Sequence, residues 1–449
     1  MHISNNRRVL TALLLMSCVA VLALASTPAH GGTVVVPRPL HIDTGVRVTQ
    51  LPTNSYCLQN FGLGCLTPAM LAKAYNFGPL RDAGIDGRGR TIVIVDSFGS
   101  PTIANDLHVF DQTFGLPDPP SLTVITPSGP IPPFDPTNAT MQSWAVEASL
   151  DVEYAHVFAP GADIILVETP VAETEGVTGF PEIIHAENYV IDHDLGDVIS
   201  QSFAATEETF PNNDAIYDLR SAYENAARQN VTVLAGAGDW GASGYELNSI
   251  DFYPYRVVAW PASDPLVTAV GGTSLTLDDS GNRLAPDSVW NDIYGAGGGG
   301  VSVAFRRPDF QDSVKHVVGR ARGIPDISLS AACVNAAVWV YWSFPPYPPG
   351  FGLICGTSEA TPEFAGIVAM ADQAAGRRLG LLGPRLYELH KHSIVDIANG
   401  NNTFGPFTNS DGNTCTVIGY NAGPGYDLAS GIGTIDAPRF VRALIDQGK

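Results

Sequence analysis

Five short runs, rich in β-branched and other apolar residues and each closing on Gly, Ser, Thr, Phe or Asp, constrain this chain more than any other feature. They are RTIVIVDSFG (Arg90 to Gly99), ADIILVET (Ala162 to Thr169), GDVISQSF (Gly196 to Phe203), NVTVLAGAGD (Asn230 to Asp239) and VVAWPASDPLVTAVGG (Val257 to Gly272). Their apolarity is continuous rather than alternating, which is what a parallel strand covered on both faces requires. Between them, WAVEASLDVEYAHVF (Trp144 to Phe158) and AIYDLRSAYENAARQ (Ala215 to Gln229) have helical spacing. The alternation predicts an α/β fold, a doubly wound, mostly parallel sheet flanked by helices, with its chemistry at the carboxyl ends of the strands. A hydrophobic content of 45% over 449 residues is ample for such a core. The glycine-rich stretch Gly295 to Gly300 lacks the Lys-Ser/Thr of a phosphate loop and is expected to be a flexible surface or groove-lining loop.

The charge balance excludes some partners. Against 45 acidic residues stand 24 basic ones, a formal charge of -21, which argues against nucleic acid and against an anionic membrane surface. At the amino end, Arg7 and Arg8 precede an apolar stretch and the small-residue triplet Ala23-Leu24-Ala25, the order of a secretory signal over 1–25. Residues 26–60 read as an extended lead-in without clear periodicity, too short for a full prodomain, and 61–449 as the main domain. Export permits disulfides: Cys57 with Cys65 would close a short loop, and Cys333 and Cys355 flank segments that could pair as a hairpin, leaving Cys415 free. Spacing alone does not settle that connectivity. Sequons at Asn138, Asn230 and Asn401 would be used only in a glycosylating host.

Three segments carry potential chemistry. In LICGTSEATPEFAGIVAMA (Leu353 to Ala371), Ser358 precedes an apolar run. A serine there can be a simple helix cap, or a nucleophile whose hydroxyl sits where the helix dipole favours negative charge. Ala360 takes the place of the second glycine of a GxSxG elbow, which disfavours an α/β-hydrolase. A nucleophilic serine needs a base, and none of the ten histidines stands out, His156 reading as packing or surface. Glu147 and Asp151 share one helix face at i,i+4. That spacing is common on exposed helices, but beside Trp144, Val146 and Leu150 it also suits a coupled pair in which Glu147 takes the serine proton and Asp151 orients it. Glu153 is expected to face solvent. Asp239, in VLAGAGDWGASG, can cap a turn or, when protonated, donate to the oxyanion of a tetrahedral intermediate. With reference values of about 3.9 for Asp and about 4.3 for Glu, that division of labour implies acidic conditions.

Together GTSEATP, EASLD and AGAGDWGASG, in this chain order, resemble the sedolisin family of serine-carboxyl peptidases, relatives of subtilisin. PASDPLVTAVGGTSL, GGGGVSVAFRRPDFQ and RGIPDIS extend the resemblance from about Leu66 to the C-terminus. It implies a subtilisin-like fold and a secreted, acid-acting endopeptidase for protein or peptide substrates, with Ser358 as nucleophile, Glu147 as base, Asp151 as its partner and Asp239 as oxyanion donor. It further implies one structural calcium ion in the C-terminal loops, held by Asp396 and Asp427 side chains and the carbonyls of Ile397, Gly423 and Gly425. Calcium takes such hard oxygen ligands from loops. A monomer without stable membrane association is expected. Cys355 and Glu359 stand where the family has small polar residues, which would alter cleft polarity. Asp96 occupies the place of a subtilisin triad aspartate but lacks the matching histidine segment, so a structural role is expected. Two rival readings are a Ser/His/Asp subtilisin-type protease and a secreted pseudoprotease that binds peptides without cutting them.

Overall fold

Strand β1 (Ile42–Val48) does not belong to the main sheet: it pairs antiparallel with β11 (Gly350–Cys355), which pairs in turn with β10 (Val338–Trp342). The molecule is seen here as a computed structural model that describes residues 39–389 and 391–446. The expected secretory signal lies outside the described residues, as does the lead-in up to residue 38. From residue 39 onward the lead-in is part of the same compact unit as the rest, contributing β1 and a short helix at Asn54–Asn60. No residue of β1 is fully buried, so neither face imposes a strict apolar alternation.

The main sheet has eight strands. In chain order they are β2 (Thr91–Ser97), β3 (Leu122–Ile125), β4 (Asp163–Thr169), β5 (Val198–Gln201), β6 (Thr232–Gly236), β7 (Thr268–Ser274), β8 (Ser288–Val289) and β9 (Ile327–Ser330). Spatially they run β8-β7-β6-β5-β2-β4-β3, with β9 also on β7, and every pairing is parallel except that of β8. The register of β2 on β4 is continuous from Thr91 opposite Asp163 to Ser97 opposite Thr169. Ile92 to Ser97 of β2 and all of β6 are buried, as the continuous apolar runs require. The sheet is thus the mostly parallel α/β architecture expected.

Helices α1 (Ile103–Phe114), α2 (Ala139–Phe158), α3 (Phe180–Asp192), α4 (Ser221–Gln229), α5 (Thr357–Ala375) and α6 (Ala437–Asp446) complete the layers. Two of them lie inside. From Trp144 to Phe158, α2 is buried on every face, and α5 is buried from Thr357 to Asp372, the property of a helix without a polar side. They pack on one another, and α5 also crosses β5, β6, β7 and β9. Asn138 starts α2 by accepting from the Thr140 and Met141 amides at 3.0 and 3.2 Å. Glu153 is inside as well, contrary to the expected solvent-facing position: its carboxylate accepts the Tyr341 amide at 3.1 Å, so β10 covers it. Disulfides join Cys57 to Cys65 and Cys333 to Cys355, and Cys415 is free.

Candidate active site

The carboxyl ends of the central strands and the amino end of α5 meet at one cleft. β6 ends at Gly236, and the chain turns through Gly238, whose φ of 110° favours glycine, to present Asp239. Asp239 is fixed by α5: its Oδ1 accepts both the backbone N–H and the hydroxyl of Thr357, each at 2.8 Å. Its Oδ2 has no partner and is buried. Burial, reinforced by the negative charges of Glu147 and Asp292, pushes the Asp239 carboxyl well above the usual carboxylate range despite the two bonds from Thr357. With Oδ1 already an acceptor of two bonds, the proton belongs on Oδ2, leaving an O–H donor at the Gly356 turn, near the Leu40 carbonyl.

The glycine-rich loop supports this turn from behind. Of the two alternatives expected, a flexible surface is excluded because Gly295 to Gly300 is buried, while Gly299 does line the cleft; Ala296 N–H bonds the Asp239 carbonyl at 2.9 Å and Gly298 N–H that of Gly238 at 2.7 Å. A Cβ on Gly298 would stand 2.0 Å from the Ala237 carbonyl oxygen, so the close approach of the two loops demands glycine.

Ser358 is the second residue of α5, just past Gly356, whose φ of 127° turns β11 into the helix. Its hydroxyl is buried and unpartnered. Pro362, one turn on, has no N–H to give to the Ser358 carbonyl, which loosens this first turn.

Glu147 and Asp151 project from α2. Asp151 Oδ1 accepts the Ser202 hydroxyl at 2.9 Å while Oδ2 has no partner. Burial first, then the charges of Asp96 and Glu147, raise the Asp151 carboxyl well above its ordinary value. Asp96, at the end of β2, is fully buried with both oxygens unpartnered, and burial together with Glu147 and Glu168 raises it too. Asp151 and Asp96 therefore share one buried volume beside Glu147, where charge on the two aspartates is disfavoured.

An imidazole does reach this group, and it was not foreseen. His41 Nδ1 is hydrogen-bonded to Glu147 Oε2, while Glu147 Oε1 is unpartnered. The residue before it, Leu40, accepts the Ser358 N–H at 3.2 Å and gives its own N–H to the Ser202 carbonyl at 3.0 Å. No hydrogen bond joins Ser358 Oγ to Glu147 with this segment in place. Neither Ser358 nor Asp96 bonds to His41, so a Ser/His/Asp relay is not assembled. A cleft of about 340 Å³ lies alongside, lined among others by Leu40, His41, Glu175, Asp239, Trp240 and Val258. His156 bonds the Pro117 carbonyl at 2.7 Å, away from the cleft, and burial lowers it to about 4. Glu359, the third residue of α5, is fully buried, and burial first, with the negative charge of Asp239 behind it, raises it well above its ordinary value.

In the C-terminal loops, Asp396 accepts the Gly425 N–H at 3.1 Å and Asp427 accepts that of Gly423 at 2.9 Å, so both carboxylates gather the 423–427 turn. Asp427 Oδ1 also takes the Ala429 and Ser430 amides, and the Ser430 hydroxyl reaches the Ile397 carbonyl at 3.5 Å. Among the described residues no group of three or more His, Cys, Asp or Glu is placed to hold a metal. Two carboxylates with backbone carbonyls form an all-oxygen set of the kind calcium accepts.

The chain is 30% identical over 387 residues to kumamolisin of Bacillus sp. (strain MN-32), covering 84% of this chain and 63% of that protein. It is 30% identical over 286 residues to sedolisin of Pseudomonas sp. (strain 101), covering 61% and 45% of the two. The solved structure of Pseudomonas sedolisin with two molecules of pseudo-iodotyrostatin superposes with a TM-score of 0.69 at 26% identity, over 86% of this chain and 99% of that one. The chain belongs to the sedolisin family. No protein-family model matches it. This sedolisin-family chain spans less than two thirds of the length of the curated relatives it matches. Their solved fold agrees with the mostly parallel sheet and buried helices described above.

Proposed function

We propose that this chain is a secreted serine-carboxyl endopeptidase that cleaves protein or peptide substrates in acid. One observation carries the reading: Asp239, a buried carboxyl raised above its ordinary range, keeps an unpartnered Oδ2, which with the Leu40 carbonyl that accepts the Ser358 N–H flanks one point beside Gly356. Two donors converge where an oxyanion would form. In the proposed cycle the Ser358 hydroxyl attacks the substrate carbonyl and its proton passes to Glu147. Asp151, anchored by Ser202, keeps its own proton and orients Glu147 from one turn away. The Ser358 N–H and the Asp239 hydroxyl hold the negative oxygen. Glu147 then protonates the leaving amine, and water resolves the acyl-enzyme by the same route.

Two disulfides suit an oxidising, extracellular setting. Among the described residues no helix is long and apolar enough to cross a membrane. For calcium, Asp396 and Asp427 with the carbonyls of Ile397, Gly423 and Gly425 are the proposed ligands, and the ion would tie the C-terminal turns together rather than take part in the chemistry. The test is hydrolysis of a denatured protein between about pH 3 and pH 7 by wild type and Ser358→Ala. Loss of cleavage in the variant, with wild-type activity confined to the acid side, is expected. Equal cleavage by both removes Ser358 as nucleophile, and activity rising toward neutral pH favours an imidazole base.

A further inference from the structure

Two carboxyl groups on the cleft wall take no part in the chemistry proposed above. The loop between β4 and α3, residues 170–179, carries Glu173 and Glu175, and both line the cleft with Ala204 and Thr206. The loop is tied down: the Glu173 N–H is on Ser97 Oγ at 3.1 Å, the Thr174 N–H on the Thr178 carbonyl at 3.2 Å and the Gly176 N–H on Thr209 Oγ1 at 2.9 Å. Glu175 Oε2 accepts the Thr206 N–H at 2.8 Å and the Thr209 hydroxyl at 3.2 Å. Glu173 is 1% exposed, yet its Oε1 is buried without a partner. Buried polar atoms are nearly always bonded, so an orphan on a cleft wall is a group for an incoming ligand to satisfy. Leu40 supplies the direction, with its carbonyl on the Ser358 N–H at 3.2 Å and its N–H on the Ser202 carbonyl at 3.0 Å. Pro39, on its amino side, lines the same cleft, so a substrate lying this way sends the residues before its scissile bond along the wall that carries Glu173 and Glu175.

We propose that Glu173 and Glu175 form a specificity subsite on the acyl side of the cleft, one that selects a glutamine or asparagine side chain among the residues preceding the scissile bond. The inference rests on the peptidase reading above and names a substrate class for that site. The choice of a carboxamide over a cation follows from the surroundings. Among the described residues no lysine or arginine lines the cleft, where the other titratable groups are His41, Asp43, Asp239 and Tyr245. Burial raises Glu175 to about 8 and, with the charge of Glu175 behind it, raises Glu173 well above its ordinary value. At about pH 4, ionising Glu175 is disfavoured by about 10⁴-fold. A lysine or arginine side chain would therefore leave water without meeting an anion. A neutral carboxyl instead offers one O–H donor and one carbonyl acceptor, and a primary carboxamide answers both with its own C=O and N–H.

Wild type, Glu173→Leu and Glu173→Gln are assayed at about pH 4 on quenched fluorogenic peptides that carry Gln, Leu or Arg at each of the second, third and fourth positions before the scissile bond. The cut is located by mass, and a denatured protein is digested in parallel. For wild type, kcat/KM is expected to be about 10- to 100-fold higher with Gln than with Leu or Arg at one of these positions. Glu173→Leu should bring the Gln-to-Leu ratio close to one, whereas Glu173→Gln, which keeps a donor and an acceptor, should retain the preference. Melting curves show that both variants are folded. Wild type that cuts the peptides without favouring Gln, or that favours Arg, overturns this inference and leaves the peptidase reading intact. A Gln preference that survives Glu173→Leu likewise overturns it. A folded wild type that cuts neither the peptides nor the denatured protein overturns the peptidase reading and this inference with it.

Discussion

In the proposed function Asp239 has to be neutral to act, and its burial favours that form. Both of its captured bonds come from Thr357 to Oδ1, so an asparagine can keep them with its carbonyl oxygen and present an N–H in place of the Oδ2 proton. Asp239→Asn is therefore expected to keep activity within about tenfold of wild type, and Asp239→Ala to lose about 10²–10³ in kcat. The pH profile separates the two roles of this carboxyl. Wild-type activity should fall as pH rises and Asp239 ionises, while the asparagine variant loses that limb. A profile unchanged by Asp239→Asn would exclude the carboxyl as the titrating donor. Ser358, Glu147, Asp151 and Asp239 are singled out in the sequence by the resemblance of three motifs in chain order, since their spacing alone reads equally as helix caps, turns and exposed helix faces. His41 is not, since it belongs to a stretch with no periodicity and acts only through a contact with Glu147, 106 residues away.

Elements meet at this site through glycine. The turn after β6, the buried 295–300 loop and the β11–α5 junction approach so closely that Cβ atoms have no room at Gly298 and Gly356. Gly298→Ala is expected to push the Ala237–Asp239 turn, and Gly356→Ala to press on Asp239 Oδ2 from a φ that alanine rarely adopts. Displacing the donor carboxyl by even about 1 Å costs on the order of 10²-fold in rate. Steady-state kinetics should show the loss in kcat more than in KM for both, and a selective rise in KM would place the loop in substrate binding instead. The sequence marks 295–300 as glycine-rich but not as buried, because polyglycine reads equally as a mobile loop and as a surface to which other backbone can come close.

Over the whole molecule, buried carboxyls dominate the electrostatics. Burial raises Glu168 and Asp372 to about 7 and Glu175 to about 8, and puts Glu359 and Glu363 of α5 well above their ordinary values. In the unfolded chain such groups titrate near about 4. Between about 4 and about 8 the folded state thus holds protons that the unfolded state has lost, so stability is greatest in acid and declines as pH rises through that window. The formal charge of -21 acts in the same direction. Melting temperature is expected to fall steadily from about pH 4 to about pH 8, and Glu363→Gln to raise it at about pH 7 while leaving it nearly unchanged at about pH 4. A melting temperature that increases toward neutral pH would contradict this ordering. The proposed calcium site would add a second lever: a chelator should lower the melting temperature of wild type, and Asp427→Asn should remove most of that sensitivity.

Sequence by itself determined the parallel sheet, the presence of the two long helices and the chemical types offered to the site, because strand and helix periodicity and residue identity are local properties. For the cysteines it offered a short loop and a hairpin without settling the pairing, and the structure forms both bonds. Only tertiary structure decided which carboxyls are dry enough to hold protons, that Glu153 lies under β10, and that residues 39–48 cross the cleft and join β11. Those outcomes depend on which distant surfaces exclude water from one another, and no stretch of chain encodes that alone.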